Sequence, residues 1–151
     1  MTDVIIRTMT KDDYKEAYKL WMTIHNFGIS SVDDKEENIH KFLDRNPNLS
    51  VVAEKDGEIV GTILCGHDGR KGTFYHVCVR EDLRKQGIGK AMSVACMRAL
   101  KDAGISYVSL YSYKRNILGN SFWNSEGYNL RDDYNTYDFL LNEENITKFN
   151  A

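Results

Sequence analysis

The chain has 151 residues, 42% of them hydrophobic and 28% charged, which is enough for one compact domain with its own core and too little for a second full one. Lys plus Arg number 20 against 22 for Asp plus Glu, a net charge of −2, so any phosphate has to be held by a local site and neither nucleic acid nor membrane is an expected partner. No apolar run approaches the roughly 18 residues of a transmembrane helix, and Met1-Thr2-Asp3-Val4 lacks signal-peptide character, which reads as a soluble cytoplasmic protein. In chain order, residues 4–7 are short and β-branched, and Thr10-Lys11-Asp12-Asp13 then offers a helix cap with an acid three positions on. Tyr14, Ala17, Tyr18, Trp21 and Ile24 line up as one buried stripe of the first helix. After a loop at 26–31, the run Asp33-Asp34-Lys35-Glu36-Glu37 sets negative charge on the first turn of a second helix, whose apolar side is Ile39, Phe42 and Leu43. Asn46-Pro47 ends it.

Strands at 50–54 and 59–65 flank an Asp56-Gly57 turn, and a glycine-bracketed loop from Gly66 to Gly72 leads into a strand at 73–79. A long helix over 88–103 carries Ile88, Met92, Ala95, Cys96 and Ala99 on one face and stops at Gly104. A strand at 106–111, a helix at 116–126 and one or two strands within 128–141 complete a single domain over 1–141, followed by a mobile polar tail over 142–151. The order implies an α/β (α+β) domain with a mixed sheet of six to seven strands and about four helices. Cys65, Cys78 and Cys96 are odd in number and widely spaced, so neither a disulfide framework nor a metal site is expected.

Most of the functional information lies between Val77 and Ala91. A strand delivers a short loop whose glycines, Gly87 and Gly89, open a helix, so free N–H groups and the positive end of the helix dipole converge on one point. Arg84, Lys85 and Lys90 surround that point with positive charge, and glycine lets backbone approach a phosphate. The other reading is a helix start that uses glycine for tight packing. A Walker loop is absent, and a dinucleotide fingerprint needs a third glycine where Met92 stands.

At Arg84-Lys85-Gln86-Gly87-Ile88-Gly89 the sequence resembles the GNAT superfamily of N-acetyltransferases, whose acetyl-CoA signature is R/Q-x-x-G-x-G/A at the start of the central helix. A second motif, Asn-x-x-Ala-x-x-Phe-Tyr followed by Gly-Phe, corresponds to Asn116 through Trp123 with Gly127-Tyr128, and the chain looks like a small single-domain bacterial member. The resemblance implies that backbone N–H groups of Lys85, Gln86, Gly87, Ile88, Gly89, Lys90 and Ala91 seat the diphosphate of acetyl-CoA, with Arg84 beside it. It also implies that the pantetheine arm adds like a strand along Val77, Cys78 and Val79, that Asn116 contacts the cofactor, and that Trp123 packs at its sulfur end. Asn116 is equally suited to cap a helix.

Two departures bear on catalysis. The family's thiolate-protonating tyrosine falls at Trp123, and a glutamate that some members place five residues before the asparagine is replaced by Tyr111. His76 is the side chain of the cofactor strand that titrates near neutrality and is a candidate for proton transfer, with Tyr111 and Tyr128 beside it; a core histidine with a satisfied hydrogen bond is the structural alternative. The acidic run at 33–37 reads as a helix-start preference, although the loop before it often borders the acceptor site in this family. The expected function is direct transfer of an acetyl group from acetyl-CoA to a primary amine of a small molecule or peptide, by a monomer or homodimer. The alternative is a CoA-binding sensor or interaction module with little turnover.

Overall fold

The structure is a computed structural model that describes residues 3–151. Strand β1 (Val4–Thr8) leads through a single turn at Lys11–Asp13 into α1 (Tyr14–Trp21), a short strand β2 (Gly28–Ser30) and α2 (Glu36–Arg45). Then come β3 (Val51–Lys55), β4 (Glu58–His67), β5 (Gly72–Val79), α3 (Ile88–Asp102), β6 (Val108–Ser109), α4 (Ile117–Ser125) and β7 (Thr147–Phe149). The four helices and the strands at 4–8, 51–55, 58–67 and 72–79 fall close to where the sequence places them, but the seven strands of the described residues divide into a five-stranded sheet, ordered β1-β3-β4-β5-β6, and a separate β2-β7 pair.

Neighbours in the large sheet are antiparallel except β5 and β6, which are parallel and joined by α3. A parallel pair needs a crossover of this length, and the long apolar-faced helix supplies it. Its seam with β5 is close: a Cβ on Gly72 would stand 2.8 Å from the Leu100 side chain. Toward α3 the sheet buries Ile63, Cys65 and Phe74 against Met92, Cys96 and Leu100; toward α1 and α2 it buries Val52, Leu64 and Cys78 against Ala17, Trp21 and Ile39. The three cysteines are free and buried, as small core residues are.

Three local expectations give way. The strand anticipated at 106–111 is reduced to Val108–Ser109, paired only with Gly72 and Thr73. No strand forms within 128–141, because no neighbouring strand meets its backbone there. The loop at 26–31 and the supposedly mobile tail instead pair as β2 and β7, with Gly28 opposite Phe149 and Ser30 opposite Thr147. Gly28 is the residue that permits this contact, since a Cβ would stand 2.8 Å from the Phe149 ring.

The acid at the first cap does more than end a helix. Arg7 forks onto the Asp13 carboxylate at 2.8 and 2.9 Å, and the Thr10 backbone N–H donates to the same group at 2.8 Å. Burial raises the Asp13 carboxyl, and the hydrogen bonds from Arg7 and Thr10 more than reverse this, leaving it below its ordinary range. A carboxyl depressed by folding contributes stability above its unfolded pKa of ~3.9, and that contribution is lost as pH falls further. Asp13→Asn is therefore expected to cost about 1.5–3 kcal/mol at neutral pH, the range for hydrogen bonds to charged groups. Urea titrations should show the gap to the parent chain closing below about pH 4; a gap independent of pH contradicts this role.

Candidate active site

The glycine loop has the geometry of an anion seat. Lys85 and Gly87 adopt left-handed φ values of 62° and 84°, turning the chain so that Gly87 caps α3. The first turn of α3 contains no acidic side chain, in contrast to α2 with Glu36 and Glu37. Ile88, Gly89 and Lys90 place first-turn N–H groups at the helix end, which helix geometry leaves without intrahelical acceptors. Gly89 also lets α4 come close, because a Cβ there would stand 3.3 Å from the Phe122 ring. Arg84 leans back onto the end of β5, its Nε donating to the Val79 carbonyl at 3.3 Å, while Lys85, Gln86, Lys90 and Ala91 are exposed around the loop. After Thr73 and Ser109 the pairing of β5 with β6 ceases, so the backbone of β5 from Phe74 toward Val79 has an open side that leads to this loop.

The centre of β5 carries a β-bulge. Thr62 pairs with Cys78 and Leu64 with Tyr75, so Ile63 alone opposes both His76 and Val77. His76 takes up the extra residue with φ +49°, a conformation that is uncommon outside glycine. The bulge resets the alternation. Val77 and Val79 face α3, whereas the His76 ring lies on the α1 side, 4.6 Å from Trp21 and 5.0 Å from Phe27 between ring centres. Trp21 Nε1 donates to Thr62 Oγ1 at 2.9 Å, and that hydroxyl donates to the His76 carbonyl at 2.7 Å, fixing the bulge from the neighbouring strand.

On that face His76 Nε2 meets Asp34 Oδ1 at 2.7 Å. The other oxygen of Asp34 accepts the Ser30 backbone N–H at 2.7 Å, and the Tyr14 hydroxyl donates to the Asp34 carbonyl at 2.6 Å. The Asp34 side chain is 7% exposed and that of His76 is 18%, so the pair is sheltered but the ring is not sealed. With Asp34 as the acceptor of this bond, Nε2 carries its proton, and Nδ1 carries the lone pair of a neutral ring. Such a dyad holds a base in one tautomer and stabilises it once protonated.

The segment carrying Asp34 is held by the far end of the chain. The Asn145 side chain accepts the N–H groups of Val32 and Asp33 at 3.0 and 2.9 Å, and Asn150 donates to the carbonyls of Trp21 and Ile24 at 2.8 Å each. Sequence reasoning had Asp34 as part of a charged helix start. Its partner is 42 residues away in sequence.

The remaining candidates lie elsewhere. Tyr128 is on the α3 side, the opposite face of the sheet from His76; its hydroxyl donates to Met97 Sδ at 3.1 Å, and burial pushes it up to about 12. Tyr111 is 84% exposed beyond β6 and, with Tyr75, Thr73 and Asn46, borders a cavity of about 400 Å³. Trp123 packs between Phe74 and Tyr128, at 6.2 and 4.7 Å between ring centres. Asn116 caps α4, its Oδ1 accepting the Gly119 N–H at 3.0 Å. Burial raises the Cys78 thiol to about 11, which makes it a poor nucleophile at neutral pH. Among the described residues no group of three or more His, Cys, Asp or Glu converges, and no helix is long and apolar enough to cross a membrane.

Comparison with known proteins bears on the family and the fold. The family model described as acetyltransferase (GNAT) family matches residues 11–128. An acetyltransferase of Sodalis glossinidius is 33% identical over 105 residues, which is 70% of this chain and 72% of that one. An acetyltransferase of Photorhabdus laumondii is 38% identical over 89 residues, 58% of this chain; the match spans 59% of that relative's length. Among solved structures, the PaiA N-acetyltransferase of Thermoplasma acidophilum in complex with coenzyme A superposes with a TM-score of 0.74 over 99% of both chains at 16% identity. The aminoglycoside N-acetyltransferase AAC(6')-Iy, in complex with a bisubstrate analogue, gives 0.71 over 92% of this chain and 99% of that one, also at 16% identity. At those identities the likeness is one of fold.

Proposed function

The chain belongs to the acetyltransferase (GNAT) family, and from that premise we propose that it transfers an acetyl group from acetyl-CoA directly to a primary amine, with His76 as the proton acceptor. The observation that carries this reading is an imidazole oriented by a buried carboxylate on the same strand that leads to the anion seat. First-turn N–H groups of Ile88, Gly89 and Lys90, with Arg84 and Lys85, bind the diphosphate; the open side of β5 at Val77, Cys78 and Val79 receives the pantetheine as an added strand. His76 Nδ1 takes the amine proton, directly or through one water, as the amine nitrogen bonds to the acetyl carbon and the C–S bond breaks. CoA leaves as thiolate, since a thiol near the ~8.5 of cysteine needs little acid assistance. Trp123 at the family's tyrosine position is compatible with that departure, and the buried Cys78 argues against an acyl-enzyme.

The test is release of free CoA thiol with a panel of polyamines, amino acids, aminoglycosides and peptide N-termini, read together with mass shifts of the acceptors. Acceptor-dependent release is expected, and acetyl-CoA at about 100 times its Kd should stabilise the fold by ~2.7 kcal/mol. Stabilisation without release by any amine defeats the enzymatic reading and leaves a CoA-binding module. Arg84→Ala and Lys90→Ala are each expected to weaken acetyl-CoA binding several-fold, more at low salt than at high, with saturated turnover nearly unchanged. Calorimetry at two ionic strengths checks this. A loss of turnover at unaltered affinity contradicts a purely electrostatic role.

A further inference from the structure

The bulge at the centre of β5 has a second effect. Consecutive residues of a strand ordinarily face opposite sides of the sheet, but the extra residue puts the side chains of Tyr75 and His76 on the same face. His76 lies against Trp21 of α1, and the Tyr75 ring meets Phe42 of α2 edge-on at 5.9 Å between centres. Tyr75 remains 49% exposed, so this contact covers only part of its ring. The cavity of about 400 Å³ that Tyr75 borders, with Phe42 and Asn46 on its other side, therefore lies on the His76 face of the sheet, one residue from the proposed base.

The cavity sits in the fork where β5 and β6 part after Thr73 and Ser109, both of which line it. Phe42, Tyr75 and Tyr111 give it three aromatic walls, and Thr73 and Ser109 add hydroxyls. Its volume falls toward the low end of the roughly 300–1,000 Å³ of small-molecule sites, which suits a body of one or two rings. The charged groups at its rim are engaged by the hairpin that carries them. Asp68 Oδ1 accepts the N–H groups of Arg70 and Lys71 at 2.8 Å each, and the Lys71 ammonium lies over the Tyr107 ring, 5.0 Å from its centre. Among the described residues that line the cavity Asp68 is the one carboxylate, so the second ammonium of a polyamine would meet only an acid already held by its own turn.

We propose that this cavity seats the body of the acceptor, and that the acceptor is a primary amine carried on a short arm from a planar aromatic ring. The inference rests on the acetyl-transfer reading above and adds the class of amine to it. A thioester lying along the open side of β5, from Val79 toward Phe74, ends beside His76. A ring in the fork against Tyr75 and Phe42 then stands about one residue spacing, ~3.8 Å, from the base, which an arm of about two carbons spans. Rings meet other rings edge-on or offset with a gain beyond that of the apolar area alone, a gain that an aliphatic chain does not share. Polar substituents on such a ring have the hydroxyls of Thr73 and Ser109 as partners.

Saturation-transfer NMR on the full chain in the presence of CoA tests the cavity without turnover, with phenethylamine and tryptamine as probes and putrescine as the comparison. Strong transfer to the ring protons of the first two and little to putrescine is expected, and kcat/KM with acetyl-CoA should favour phenethylamine over putrescine at least about tenfold. Tyr75→Ala should raise the KM for phenethylamine about tenfold or more and leave the KM for acetyl-CoA within a few-fold, whereas Tyr75→Phe, which keeps the ring, should stay near the parent value. Preference for putrescine, spermidine or a peptide N-terminus over both arylalkylamines overturns this inference and leaves acetyl transfer standing. Release of CoA by no amine at all removes the transfer reading and the acceptor with it. Ring-proton transfer that is absent from the parent chain, or that Tyr75→Ala leaves unchanged, also overturns the inference. Should Tyr75→Ala fold poorly, the parent chain's preference between the two classes of amine decides alone.

Discussion

Replacing His76 by Gln should lower saturated turnover by ~10²- to 10⁴-fold, the usual contribution of a positioned proton-transfer group, while leaving acetyl-CoA affinity within a few-fold. Gln retains an amide donor for Asp34 and the polarity of the position, but it has no lone pair basic enough to take an ammonium proton. Asp34→Asn separates orientation from chemistry. It keeps the shape of the contact but no longer enforces the Nε2–H tautomer or stabilises the imidazolium, so kcat should fall about tenfold or more with the KM for acetyl-CoA unmoved. A His76→Gln variant that retains full turnover across the pH range excludes the dyad as the base. The family assignment would survive that result.

Gly89→Asp is expected to abolish measurable acetyl-CoA binding, a loss of at least about 100-fold in affinity. The change sets a negative charge in the first turn of α3, the proposed seat of the diphosphate, and a Cβ already 3.3 Å from Phe122 leaves it little freedom to turn aside. Gly87→Glu acts through charge with added backbone strain, since φ there is +84° and the space around it is open. Gly57→Glu, at φ +78° in the β3–β4 turn and equally open, carries the same strain far from the loop. It should bind normally. Equal melting shifts on adding acetyl-CoA in all three variants would falsify the anion seat.

The two halves of the site differ in how visible they are in the sequence. The seat is local. A strand, two glycines and a helix start follow one another within fifteen residues, and the φ values of Lys85 and Gly87 come from the same short stretch. The proposed base is not local. His76 was identifiable as a titratable side chain on the strand, but its orientation depends on a bulge that leaves no mark in the alternation of 73–79 until the register with β4 is known. Asp34 looked like helix-start charge because such charge is favourable on its own account; its burial follows from the packing of α1, β2 and β5 around it. Tyr128 was suggested by a motif position and faces the other side of the sheet. The segment over 128–141 has the pattern of a strand and none of the pairing, since pattern can specify a strand's faces but cannot supply a neighbour.

The pairing of β2 with β7 bears on when this protein becomes competent. The bonds that pin residues 21–33 reach across 112 to 129 positions, to the last few residues of the chain. A polypeptide folds from its N-terminus as it is made, and contacts of such long separation close last. The five-stranded sheet and the glycine loop are complete in sequence by residue 109, well before the residues of β7. On the proposed reading, the glycine loop that seats the cosubstrate can therefore form before the clamp that holds Asp34 against His76.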